Sequence, residues 1–239
     1  VEAVKRLQKQ GVKVFICTAR PYASFKWLGA LDLGIQWDGF IASSGGYAFA
    51  DGKYIFTSKM EKKDVEEFIA LTLKRKKSLE LVELEERKLI APLNKEGEEH
   101  FARFNEYIPP LKEYEGEDVE GINFFADEKE DELFQKTFPH LVYWRYTPYS
   151  VDVMPFKHKK GDGIKHVLDY YGFSKDEAMA IGDDLPDLTM AEAVSFFISM
   201  GNGKDEVKKA ASFVTKEVWN SGVKYVVDKI IDNKCYPLK

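Results

Sequence analysis

The sequence predicts an α/β protein: a doubly wound layer of parallel strands interrupted by a smaller α+β insert. Three observations predict it. Short apolar runs at residues 12–17, 39–43, 178–181 and 196–199 alternate with stretches of helical periodicity, the rhythm of strands covered on both faces. The character changes near Thr57, where two-residue alternation takes over, and the first rhythm returns at Lys160. The run 178–181 then ends in glycine and a carboxylate cluster, the place where an open α/β sheet sets a cation and a phosphate.

Taken in order, residues 1–10 repeat apolar side chains at helical spacing and stop at Gly11. The run 12–17 is a strand, and Thr18 with Pro21 caps and opens a helix reaching about residue 31. Residues 39–43 form a strand, and 47–49 with 54–56 form a hairpin around Asp51-Gly52. The insert begins with a charged amphipathic helix, 62–77, followed by alternating strands at 79–84 and 88–93 and a helix at 98–107. Strands 121–126 and 141–146 bracket a further helix, 127–138. One polar face in such strands points to an antiparallel sheet carrying helices. From Lys160 follow helix 160–171, strand 178–181, helix 186–193, strand 196–199, helix 204–211, strand 213–215 and a last helix from Gly222. The division expected is a core of residues 1–57 and 156–239 with a cap of residues 58–155.

The chain has 239 residues, and 35 Lys and Arg against 40 Asp and Glu give it a net charge of −5. That balance argues against a nucleic-acid partner, since such binding depends on neutralising phosphates. A small phosphorylated molecule remains compatible, because a local pocket can be positive on an acidic protein. The two cysteines, Cys17 and Cys235, make neither a metal spacing nor a disulfide framework, so the expected setting is reducing and cytoplasmic. The apolar runs are too short to span a bilayer, and no membrane partner is expected. Residues 1–10 read as the middle of a helical unit, so the natural chain is expected to begin upstream.

The strongest constellation is Gly182-Asp183-Asp184-Leu185-Pro186-Asp187. Carboxylates at a strand's carboxyl end can hold Mg²⁺ through one or two oxygens and leave room for water and phosphate. The plainer reading is a solvated turn whose aspartates cap the next helix. Lys160, fixed at a helix start beside Gly161, can pin a phosphate oxygen, whereas Lys157 and Lys159 read as solvated basic loop. Thr18 closes the first strand and can donate its hydroxyl to a phosphate, or serve only as a cap. Arg20 can meet an anion or pair with a surface acid. Ser43-Ser44-Gly45-Gly46 offers hydroxyls and amides after a strand, or a flexible turn. Asn202 can line the crevice or occupy a left-handed turn. His100, His140, His158 and His166 have no partner spacing that supports zinc or a triad, and Tyr143, Trp144 and Tyr146 read as cap core, the lesser alternative being that one of them faces substrate.

The strings VFICTARP, VDVMPFKHKKGDGIKHVL, AMAIGDDLPDLTM, ISMGNGKDEVKKAASFVT and SGVKYVV together resemble the haloacid dehalogenase-like (HAD) superfamily. Within it they are similar to the Cof-type sugar-phosphatase-like group, whose Rossmann-like core carries a large α/β cap. The resemblance implies a Mg²⁺-dependent phosphate monoester hydrolase acting through an aspartyl-phosphate. It gives Thr18 and Lys160 catalytic roles, Asp183 the metal with Asp187 as supporting carboxylate, and Arg20, Ser44, Gly45 and Asn202 contacts to substrate. Asp152 matches an acidic position where the cap returns to the core. The family's opening Asp-x-Asp-Gly-Thr strand is absent from these residues, and the resemblance places it just before Val1. Pro186 and Ser44 stand where the family usually has asparagine. A binding or regulatory protein on a disabled scaffold, and a phosphomutase using the same site, are the rival expectations.

Overall fold

A computed structural model describes residues 1–25, 29 and 33–233, with the side chains of 230–233 excepted. The chain forms two compact units. Unit 1 comprises Val1–Arg20, Leu28–Thr57 and His158–Lys239, and unit 2 comprises Pro21–Trp27 and Ser58–Lys157.

Unit 1 opens with helix α1 (Glu2–Lys9) and strand β1 (Phe15–Cys17). The strand is shorter than the apolar run because Gly11 turns the chain at φ +82° and the Val14 amide bonds the Asp38 carboxylate at 2.7 Å rather than a ladder carbonyl. β1 pairs in parallel with β2 (Gly39–Ala42), which continues antiparallel into β3 (Tyr47–Ala50) and β4 (Lys53–Thr57). The hairpin turns at Asp51 and Gly52, both left-handed, as an Asp-Gly turn requires. A second, wholly parallel sheet holds β10 (Met179–Gly182), β11 (Phe196–Ser199) and β12 (Phe213–Val214).

Both faces of this second sheet are covered. Phe197 packs with Met190 of helix α7 (Leu188–Ala193), with Val194 just after it and with Val207 of α8 (Asp205–Ala210), while its neighbours Phe196 and Ile198 pack against Val226 of α9 (Gly222–Asn233). Alternating residues bury on opposite sides, which explains the unbroken apolar run. Helix α6 (Lys160–Tyr171) supplies Ile164, which packs, as does Cys17, in both the β2–β3 cluster and the β10–β11 cluster. The two sheets of unit 1 thus rest on one helix.

Unit 2 is a five-stranded antiparallel sheet in the order β6 (Arg87–Leu89), β5 (Ser78–Val82), β7 (Gly121–Phe125), β9 (Ser150–Met154) and β8 (Val142–Arg145). Helices α3 (Lys62–Lys74) and α5 (Asp131–Thr137) cover one face through Val65, Phe68 and Phe134, which join Leu79, Leu81, Phe124 and Val153 in the core. The unit also contains α2 (Tyr22–Phe25) and α4 (Lys95–Phe104).

Several expectations shift. The helix expected to reach residue 31 is seen at Tyr22–Phe25, and 26–28 and 30–32 lie outside the described residues, as does Cys235. The helix expected at 98–107 begins three residues earlier, because the Asn94 side chain accepts from the Gly97 amide at 3.1 Å and sets the N-cap there. β9 was not expected as a strand, yet it pairs on both sides within the sheet. Among the described residues no helix is long and apolar enough to cross a membrane.

Candidate active site

The carboxyl ends of β1, β2, β10 and β11 carry the chemistry-bearing loops of unit 1. The first contains Thr18, whose amide donates to the Ile41 carbonyl at 2.8 Å and whose own carbonyl accepts from the Ser44 amide at 3.1 Å. Its hydroxyl oxygen accepts from the Arg20 amide at 3.1 Å. Arg20 is exposed, and its carbonyl accepts from the Ser43 amide at 3.0 Å.

After β2 the chain enters a run of three left-handed residues, Ser43 at φ +49°, Ser44 at +54° and Gly45 at +99°. Serine in this region is uncommon, and a residue held there costs of order 1 kcal/mol unless its surroundings fix it. Here the bonds to Thr18 and Arg20 fix it. Gly45 has a second constraint: a Cβ on it would lie 2.2 Å from the Lys159 carbonyl oxygen. The loop thereby reaches the start of α6, one residue before Lys160.

Lys160 lies in the first turn of α6 with its ammonium 2.5 Å from Asp187 Oδ1. Both side chains are largely enclosed, 13% and 5% exposed. The other oxygen of Asp187 accepts from the amides of Asp183 at 2.8 Å and Asp184 at 3.1 Å. Asp187 therefore spends both oxygens on shaping the loop and orienting Lys160. The φ of Gly182 is not positive; its role is space. A Cβ there would sit 2.6–2.7 Å from the Asp187 side chain.

Asp183 differs from its neighbours. Its amide and carbonyl are bonded, to Asp187 and to the Lys204 amide, but its exposed carboxylate accepts no hydrogen bond among the described residues. Asp184 caps the turn 185–187 and pairs with the Lys204 ammonium at 2.5 Å. That hydrogen bond first, then the Leu185 amide, holds the Asp184 carboxyl below its usual range. Beneath the site, burial pushes the Cys17 thiol up to about 12, while Lys160 pulls the other way. That shift favours the neutral thiol, in keeping with the packing of Cys17 against both clusters.

Asn202 does not take a left-handed turn. Its Oδ1 accepts from the Val218 amide at 2.9 Å, pinning the loop 216–221. No direct hydrogen bond joins Thr18 to Lys160; the connection runs through Ser44 and Gly45. Asp152 lies on β9 of unit 2.

Two residues were missed. Thr189 accepts from the Gly161 amide at 3.2 Å and donates to the Pro186 carbonyl at 3.0 Å, tying the start of α6 to the carboxylate loop. Lys204 links that loop to the next. Neither stands in a recognisable spacing. The closeness behind the first contact is visible at Gly161, where a Cβ would meet the Thr189 carbonyl oxygen at 2.1 Å. Gly161→Ala is expected to force α6 off this loop and cost about 1–3 kcal/mol, lowering the thermal midpoint by several degrees; an unchanged midpoint would refute the packing argument.

Mg²⁺ fits this loop in one respect that can be tested on the residues themselves. A magnesium site built from one carboxylate, waters and substrate phosphate needs an exposed carboxylate with its oxygens unspent, and Asp183 has one. Among the described residues no group of three or more His, Cys, Asp or Glu forms a ready-made metal cage.

Comparison with known proteins gives a consistent result. The family model for haloacid dehalogenase-like hydrolases matches residues 1–227. Phosphoglycolate phosphatase 1 of Saccharolobus solfataricus is 26% identical over 234 residues, 97% of this chain and 85% of the relative. Among solved structures, a hypothetical protein from Geobacillus kaustophilus HTA426 matches with a TM-score of 0.87 at 28% identity, covering 96% of this chain and 90% of that one. The HAD subclass IIB sugar phosphatase BT4131 matches with a TM-score of 0.72 at 26% identity, covering 95% and 88%. The chain belongs to the haloacid dehalogenase-like hydrolase family.

Proposed function

We propose that this HAD-like phosphatase is a Mg²⁺-dependent phosphate monoester hydrolase acting on a small phosphorylated metabolite, a sugar phosphate, in the reducing setting of the cytoplasm. One observation carries the reading. Asp187 locks Lys160 and the loop amides in place while the adjacent Asp183 carboxylate stays unspent. A fixed cation beside a free carboxylate is what a dianionic phosphoryl group and its divalent ion need.

In this reading Asp183 holds Mg²⁺, and Asp187 supports it by orienting the loop. The ion, when bound, neutralises charge on the phosphoryl oxygens. Lys160 presents its ammonium to a phosphoryl oxygen, in a direction set by Asp187 and by α6. The Thr18 hydroxyl donates to a second oxygen, and the Ser44 and Gly45 loop, with Arg20 and Asn202, borders the substrate. The route uses an aspartate nucleophile that forms an aspartyl-phosphate, which water then cleaves. Unit 2 serves as the cap that chooses the alcohol.

The test is phosphate release by the full-length protein and by Asp183→Asn, over a panel of phosphate esters. Turnover is expected to fall at least about a hundredfold with the thermal midpoint unchanged, because the Asp183 carboxylate has no structural partner. Undiminished turnover would sink the metal assignment. Transfer of the phosphoryl group within the substrate, without free phosphate, would favour a mutase.

A further inference from the structure

Lys160 and the carboxylate loop are joined by two bridges, and only one of them is an ion pair. The first runs from the Lys160 ammonium to Asp187 Oδ1 at 2.5 Å. The second is the hydroxyl of Thr189, a half-buried residue at the second position of α7. It accepts at 3.2 Å from the amide of Gly161, the residue after Lys160, and donates to the Pro186 carbonyl at 3.0 Å. One oxygen thus takes up a first-turn amide of α6, a group with no acceptor inside its own helix, and fastens it to the turn 185–187. The backbones already touch at this point: a Cβ on Gly161 would lie 2.1 Å from the Thr189 carbonyl oxygen.

The bridges differ in what a bound phosphoryl group does to them. A dianion approaching Lys160 competes with Asp187 for the same ammonium, so the ion pair loosens when substrate is present. A lysine head sits on a flexible four-carbon stem, and once its tip is shared its aim depends on where its Cα is held. The Thr189 bridge is untouched by that competition, because it joins an amide to a carbonyl and carries no charge. On the other side of Lys160, Gly45 packs against the Lys159 carbonyl oxygen, where a Cβ would come within 2.2 Å. That contact limits approach without fixing direction. The hydroxyl supplies the direction.

We propose that Thr189 is a positioning residue for phosphoryl transfer: its hydroxyl keeps the backbone of Lys160 in register with Asp183 while the Lys160 ammonium is shared with substrate. The proposal rests on the function given above. Asp187 bonds the Asp183 and Asp184 amides at 2.8 and 3.1 Å, so a hydroxyl anchored at Pro186 holds the whole carboxylate loop against the start of α6. Position matters most where charge develops at a fixed place in the transition state. Loss of the bridge therefore appears in kcat more than in KM.

Thr189→Val keeps the shape and removes the hydroxyl, and Thr189→Ser returns it. Both are compared with wild type in the full-length protein, on an ester that the wild type hydrolyses, at a temperature where each variant is folded. Thr189→Val is expected to lower kcat at least about tenfold and to change KM by less than about threefold. Thr189→Ser is expected to recover most of kcat. In a Lys160→Met background the valine change is expected to cost less than about twofold, because residues that act through one group are not additive. A residue that only stabilised the fold would lower the thermal midpoint and leave kcat of the folded protein intact. The proposal is overturned by an unchanged kcat in Thr189→Val, by a loss that serine fails to recover, or by an undiminished loss in the Lys160→Met background. The two failures are distinguishable. Wild-type protein that releases no phosphate from any ester sinks the phosphatase reading and this one with it, whereas an active wild type with an unaffected Thr189→Val variant sinks this one alone.

Discussion

Lys160→Met is expected to remove nearly all phosphate-ester turnover and to weaken unit 1 in the same step. On the proposed function, the activity loss follows from the missing ammonium that Lys160 would present to the phosphoryl oxygens, a contribution of roughly 10²–10³ in rate. The stability loss has a different origin. Asp187 is 5% exposed and pairs with Lys160 at 2.5 Å, so the variant leaves a buried carboxylate with two amide donors and no counter-charge. Breaking one half of such a pair costs about 3–5 kcal/mol. The two effects separate in the double variant Lys160→Met, Asp187→Asn. Asparagine retains an oxygen for the Asp183 and Asp184 amides and carries no charge, so most of the stability is expected to return while turnover stays low. Chemical denaturation and phosphate release measure the two quantities side by side. Recovery of turnover in the double variant, or wild-type stability in the single one, contradicts the arrangement.

The carboxylate loop was legible because its signals are local. An apolar run ending in Gly182-Asp183 marks a strand's carboxyl end, and a parallel strand covered on both faces has few other ways to finish. The division of labour inside the loop was not legible. Nothing in the spacing of Asp183, Asp184 and Asp187 says that the third saturates itself on amides and a lysine 27 positions away. The left-handed serines at 43 and 44 were also hidden, since they are imposed by bonds to Thr18 and Arg20 rather than by serine's own preference. The close approach that keeps Gly182 free of a side chain, against Asp187, has no signature in the local sequence. In unit 2 the alternation of polar and apolar residues marked an antiparallel sheet, although the strand expected at 88–93 is seen at Arg87–Leu89, and alternation does not say how far the polar face is buried. Glu80, at 1% exposure, lies on that face and is buried with Arg87. β9 was overlooked because its five residues, SVDVM, read only as the return of the chain.

That buried pair gives the second large effect. Arg87→Met is expected to destabilise unit 2 by about 3–5 kcal/mol near neutral pH and by much less in mild acid. Arg87 holds the Glu80 carboxylate through two nitrogens and also reaches Glu106 and Ser24. Even with this partner, burial raises the Glu80 carboxyl from 4.5 to about 7, and burial with Glu80 beside it raises Asp152 from 3.8 to about 7. Raised carboxyls bind more protons folded than unfolded, so stability falls as pH rises from the unfolded values toward 7. Burial moves His100 the opposite way, from 6.5 to about 4, so its contribution is lost as pH falls through that window. Two carboxyls outweigh one imidazole, and the cluster as a whole is stabler in mild acid. Without Arg87 the Glu80 carboxyl is held up further and the decline with pH steepens. Urea unfolding at about pH 5 and about pH 8 reads the difference directly. Adding Glu80→Gln removes the orphaned charge and is expected to recover most of the loss at the higher pH, because deleting both members of a buried pair costs far less than deleting one. An equal loss at both pH values, or a double variant no stabler than the single, would show that Arg87 acts through packing alone.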